Sequence, residues 1–124
     1  MAKKKEITYE EKMVKALESI PNPLEDKKHR IFIVFEDSKA RSNQTRFEHI
    51  ILARHELKPS DIKRIPKQIK SSVLKKDKER NNTYNLYISR NNYRTEFIKI
   101  SIELDFKKSN VAVVKTIFIT KNVK

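Results

Sequence analysis

The sequence predicts an α+β domain, with helices packed on one face of an antiparallel β-sheet of about four strands. Two observations carry this. Apolar residues recur at helical spacing within residues 9–20 and 45–73, interrupted by one apolar run at 31–35. Three strand-length segments then close the chain at 84–89, 98–104 and 110–120, joined by short links that favour antiparallel pairing.

The elements follow in order. Thr8-Tyr9-Glu10-Glu11 reads as a capping box, with Thr8 as N-cap and Glu11 three positions on. Tyr9, Met13, Leu17 and Ile20 supply the apolar stripe of the helix it opens, and Pro21 and Pro23 stop it. Residues 1–28 are therefore expected as an N-terminal helical arm, and 29–124 as the main domain. His29 to Asp37 is expected as a strand, since the run Ile31-Phe32-Ile33-Val34-Phe35 suits a strand buried on both faces. Ser38 to Gln44 is a polar, basic loop. Thr45-Arg46-Phe47-Glu48 is a second capping box, opening a helix that ends near His55.

Pro59 and Ser60 restart the chain, and Ile62, Ile65, Ile69 and Val73 continue at helical spacing. Pro66 lacks an N–H and predicts a kink there, or two short helices. Lys75 to Asn82 is a charged loop. Tyr84, Leu86 and Ile88 alternate with Asn85, Tyr87 and Ser89 along the next strand. After a turn at Asn91-Asn92, Ile98, Ile100, Ile102 and Leu104 alternate with Lys99, Ser101 and Glu103. In the last strand one face is expected to carry Val111, Val113, Ile117 and Ile119 with Lys115 among them. The other carries Ala112, Val114, Phe118 and Thr120 with Thr116 at its centre.

Composition narrows the function. The 124 residues contain 29 Lys+Arg against 16 Asp+Glu, a formal net charge of +13. That surplus attracts a polyanion by steering and counterion release. Gly is 0, which excludes a phosphate-cradling glycine loop and a nucleophile elbow. Cys is 0, which excludes disulfides, cysteine zinc sites and a thiol nucleophile. Met1 to Lys5 resembles the basic start of a signal peptide, but Glu6, Thr8, Glu10 and Glu11 follow in place of an apolar core. The chain is expected to be cytoplasmic, without membrane association and without a cofactor.

Two of the three histidines, His49 and His55, lie six residues apart. They are off register for one helical face and converge only if His55 sits past the helix end. The spacing does not suit a zinc pair. Imidazoles here either perform acid–base work or cap a helix C-terminus. Arg46, Arg54 and Lys58 stand nearby and could hold a phosphate. Lys115 and Thr116 interrupt an apolar strand, which places them either at a phosphate-facing cleft or simply in a strand whose lysine snorkels. Basic residues from Lys63 to Arg80, followed by Tyr84, Tyr87, Arg90, Tyr93 and Arg94, interleave charge with aromatic rings, which suits either RNA or a solvated helix face with the tyrosines packed in the sheet. Asp61, Asp77 and Asp105 fall in separate elements, which disfavours a two-metal nuclease.

Phe47-Glu48-His49-Ile50 through Ala53-Arg54-His55, then Ile65-Pro66, a basic loop, two alternating strands and Val113-Val114-Lys115-Thr116-Ile117-Phe118 form a pattern. Over roughly residues 29 to 121 it resembles the phage and mobile-element nucleases of the barnase–EndoU–colicin–RelE superfamily. The resemblance implies a RelE/EndoU-like fold and a metal-independent, toxin-like endoribonuclease. It further implies that His49 and His55 are base and acid, in either order, and that Thr116 binds the phosphate. Arg54 and Lys115 would stabilise the pentacovalent oxyanion. Arg46, Arg80 and Tyr87 are expected to contact the RNA, whether tRNA or another, and an inhibitor or immunity protein is a possible partner. Two departures stand out. Ser71-Ser72-Val73 replaces the usual Asn-Pro after the second helix, and Phe118 replaces the aromatic hydroxyl of some relatives. The competing readings are a non-catalytic RNA- or DNA-binding module, and a phage accessory protein docking through Tyr9, Met13 and Leu17.

Overall fold

Thr8 caps the first helix as its sequence predicts, its Oγ accepting from the Glu11 N–H at 3.2 Å. The computed structural model describes residues 8–35, 39–41, 44–45, 57–90, 95–104, 107 and 109–121, and gives side-chain surroundings for all of these except 39–41 and 44–45. The expected helix at 45–55 and the turn at Asn91-Asn92 lie outside the described residues.

Helix α1 (Tyr9–Glu18) buries Met13, Ala16 and Leu17. Helix α2 (Pro59–Gln68) buries Asp61, Ile62 and Ile65. Proline at its first position costs no hydrogen bond there, and the Asp61 carboxylate accepts from the Lys58 N–H at 2.9 Å. The two helices pack against each other, and the Tyr9 hydroxyl donates to the Leu57 carbonyl. Burial, with Glu10 and Asp61 nearby, raises the Tyr9 phenol above its ordinary value.

Eight strands are described: β1 (Leu24–Asp26), β2 (Ile31–Val34), β3 (Lys39–Arg41), β4 (Gln44–Thr45), β5 (Val73–Lys76), β6 (Thr83–Ser89), β7 (Phe97–Glu103) and β8 (Val111–Thr120). Strands β3 and β4 pair as a small separate ribbon where a loop was expected. The others form one sheet of order β1-β2-β8-β7-β6-β5. Helix residues and one sheet face share a core: Met13, Leu17, Ile62 and Ile65 lie in the same cluster as Ile33, Leu86, Ile88, Ile98, Ile100 and Ile117.

The α+β class stands, but the sheet departs from about four antiparallel strands. It has six, and β2 runs parallel to β8, pairing Ile33 with Ala112. The short-link argument applies to β5 through β8, which are antiparallel neighbours. It does not reach β2 and β8, which come from opposite ends of the chain and need no hairpin. Strand β1 is three residues long, too short to show alternation. Its hairpin with β2 is closed by Asp26: Oδ1 accepts from the His29 N–H at 3.2 Å and Oδ2 meets the His29 ring Nδ1 at 2.7 Å.

Val73 continues the helical spacing in the sequence, yet it opens β5. The helix ends at Gln68, a 3₁₀ turn covers Ile69–Ser71, and Ser72 is extended. Pro66 neither splits nor ends the helix; it lies inside α2. The strand expected over 29–37 is shorter, with Arg30 in the left-handed region at φ 60° as the turn residue before Ile31.

Strand β8 corrects the expected alternation. Ser101 pairs with Thr116 but Ile102 pairs with Val114, so a bulge falls at Lys115 and Thr116. An extra residue shifts the parity of all that follows. The core face carries Ala112, Val114, Ile117 and Ile119.

Candidate nucleic-acid interface

The face of the sheet turned away from α1 and α2 is built by the alternate residues of β5 to β8, and Asn85, Tyr87 and Ser101 on it are buried. Two cross-strand rows form its centre. One is Asn85, Ser101 and Thr116; the next is Tyr87, Lys99 and Phe118. Period-two alternation puts Asn85 and Tyr87 opposite the core-facing Leu86 and Ile88. The bulge delivers Thr116 and Phe118 to the same face. Lys99 crosses the aromatic row, with its Nζ 5.8 Å from the Tyr87 ring centroid and 5.0 Å from that of Phe118. Such placement holds an ammonium by the rings' negative faces.

At the near end of these strands, Thr83, Glu103 and Val113 align. Lys115 lies here, its Nζ 4.0 Å from Glu103 Oε2. The loop 77–82 closes over the same end. Asp77 organises it: Oδ1 accepts from the N–H groups of Glu79 and Arg80 at 2.9 and 3.0 Å. Oδ2 accepts from Asn85 Nδ2 at 3.3 Å. These bonds, first the Glu79 N–H and then the Asn85 amide, hold the Asp77 carboxyl below its ordinary value, with the Lys99 charge adding to the effect. Asn82 completes the loop in the left-handed region at φ 57°.

Between loop and sheet lies a cleft of about 230 Å³, lined by Lys76, Asp77, Lys78, Glu79, Asn85, Tyr87 and Lys99. Apart from Tyr87, its lining side chains are charged or amide groups. Asn85 is 4% exposed, and its Oδ1 has no hydrogen-bond partner among the described residues. The Asp77 bond fixes the amide so that this oxygen faces away from the carboxylate. An orphaned buried acceptor is costly, about 1–3 kcal/mol, and persists where a ligand or water can complete it.

The site residues expected from sequence divide in three. Tyr87, Lys115 and Thr116 are brought onto one sheet face, in adjacent rows. Arg80 is exposed in the loop at the edge of that face. Arg46, His49, Arg54 and His55 lie outside the described residues. Tyr87 is 2% exposed, so its ring serves as the platform under Lys99 and leaves little surface on which a base could stack. Sequence reasoning missed Lys99, Asn85 and Asp77. The alternation in β6 and β7 did place Asn85 and Lys99 off the core face, but only the register shows that they meet. The third histidine, His29, serves the β1–β2 turn.

Among the described residues no group of three or more His, Asp or Glu converges as a metal site. Among them, too, no helix is long and apolar enough to cross a membrane. No protein-family model, curated protein or solved structure matches the chain.

Proposed function

We propose that this protein binds RNA across the face of its sheet turned away from the helices, and cleaves it as a metal-independent endoribonuclease. The observation that carries the binding half is the meeting of Lys99 and Lys115 with Asn85 and Thr116 on one face. Lys76, Lys78 and Arg80 stand at its rim. Ammonium groups beside hydroxyl and amide groups suit a phosphodiester with its sugar. The net charge of +13 supplies long-range attraction.

The cleavage half rests on the sequence signature of His49 and His55 and on the resemblance to the barnase–EndoU–colicin–RelE superfamily. One imidazole takes the proton of the ribose 2′-hydroxyl, and that oxygen attacks the adjacent phosphorus. The bond from phosphorus to the 5′-oxygen breaks, and the other imidazolium gives its proton to the leaving oxygen. The products are a 2′,3′-cyclic phosphate and a 5′-hydroxyl. Thr116, Lys115 and Arg54 hold the phosphate oxygens as charge builds.

The test is incubation of the protein with total RNA in excess EDTA, followed by analysis of the product ends. Cleavage to 2′,3′-cyclic phosphates, abolished in His49→Ala and His55→Ala with RNA affinity kept, is the expected result. Intact RNA that is nevertheless bound overturns the cleavage half and leaves a binding module. RNA neither cut nor bound overturns both halves.

A further inference from the structure

Helix α2 carries a second cationic surface, on the other side of the sheet from the Lys99 face. Its inward side is committed to the core: Ile62 and Ile65 are fully buried, and Asp61 is engaged by Arg90. Its outward stripe is Ser60, Lys63, Arg64, Lys67 and Gln68, spaced three and four residues apart and therefore on one strip of the helix. These five residues line a shallow cleft of about 340 Å³.

Two features set the stripe apart from an ordinary solvated helix face. No acidic side chain lines it, and none of Lys63, Arg64 or Lys67 has an ion-pair partner among the described residues. Lys63 with Lys67, and Arg64 with Lys67, are like charges at helical contact distance, which costs a few tenths of a kcal/mol each. The second feature is Arg64, half-buried on the stripe, whose buried Nε has no hydrogen-bond partner among the described residues. Arg64 lines the same cleft as Lys63 and Lys67, and a guanidinium among unpaired lysines suits an oxyanion.

We infer that this stripe is a second binding surface for the RNA backbone, separate from the sheet face. The inference rests on the RNA reading above. A ligand carrying regularly spaced phosphates relieves the repulsion along the stripe. Successive helical turns, about 5.4 Å apart, present one cation after another to a strand. An anionic membrane fits less well, because the apolar side of α2 is already spent in the core and cannot enter a bilayer.

The experiment measures binding of a 40-nucleotide single-stranded RNA across a range of salt concentrations, in EDTA. The His49→Ala background prevents cleavage during the measurement. Two helix variants are compared with that parent: Lys63→Gln/Arg64→Gln/Lys67→Gln, and Lys63→Gln/Lys67→Gln, which spares the half-buried arginine. The slope of log affinity against log salt is expected to become shallower by about two in the triple variant and by about one in the double, at roughly 0.7 per phosphate contact. Affinity at moderate salt falls at least tenfold in the triple variant. If it unfolds, the double variant decides. Full affinity and slope in the folded variants, alongside weakened binding in Lys99→Gln/Lys115→Gln, overturn this inference and leave the RNA reading standing. Failure of the parent to bind RNA removes the reading itself, and the helix inference with it.

Discussion

Asp77 shows how one carboxylate can set a site. It fixes two loop N–H groups and the Asn85 amide at once. Its carboxyl is held below the ordinary value of 3.8, so the unfolded chain binds the proton more readily. Its stabilising contribution is complete above that value and is lost as pH falls through the lowered one. Asp77→Asn is expected to cost about 1 kcal/mol at pH 7, since the amide oxygen still accepts from the loop. Urea unfolding at pH 5 and pH 3 should then show a smaller loss of stability in the variant than in the parent. An equal loss would mean that Asp77 does not report on the fold. None of this was legible in the sequence, where Asp77 stood as one charge in a charged loop. By contrast Lys115 and Thr116 were conspicuous as polar residues in an apolar strand. Their cause, a bulge, lies in the pairing and not in the residue types.

At the scale of elements, one tie missed from sequence joins α2 to the β6–β7 end of the sheet. Arg90 Nε donates to Asp61 Oδ1 at 3.0 Å and its Nη1 to Glu96 Oε2 at 2.8 Å. Burial alone would lower the Arg90 value, but its bonds to Asp61 and Glu96 outweigh this and raise it. Asp61 is 4% exposed. Removing its partner strands a buried charge, so Arg90→Ala is expected to destabilise by about 3 kcal/mol in urea unfolding. Glu96→Ala removes the more exposed arm and should cost less than 1 kcal/mol. Equal losses would contradict this division. Helix α1 and strands β6 and β7 were readable because capping and alternation are local signals. Strands β1 and β5 were not. The first is too short for a pattern, and the second begins where Val73 happens to extend the helical spacing of Ile62, Ile65 and Ile69. The parallel β2–β8 pair joins distant segments, which no local pattern records.

For the whole molecule, two surfaces gather cations among the described residues. The sheet face gathers Lys99, Lys115 and the loop cations; α2 turns Lys63, Arg64 and Lys67 outward. Binding should therefore weaken steeply with salt, by about 0.7 in the slope for each phosphate contact on a single strand. The net charge of +13 points to a polyanion, and the register of β6, β7 and β8 sets the sheet face proposed to bind it. The acid–base pair of the candidate site, His49 and His55, comes from the sequence signature alone.

The first measurement is the affinity of single-stranded RNA for the His49→Ala protein and for the same protein carrying Lys99→Gln and Lys115→Gln, over a range of salt. The expected result is at least a tenfold loss at moderate salt and a slope shallower by about one to two. Unchanged affinity and slope in the folded variant would contradict binding across the sheet face.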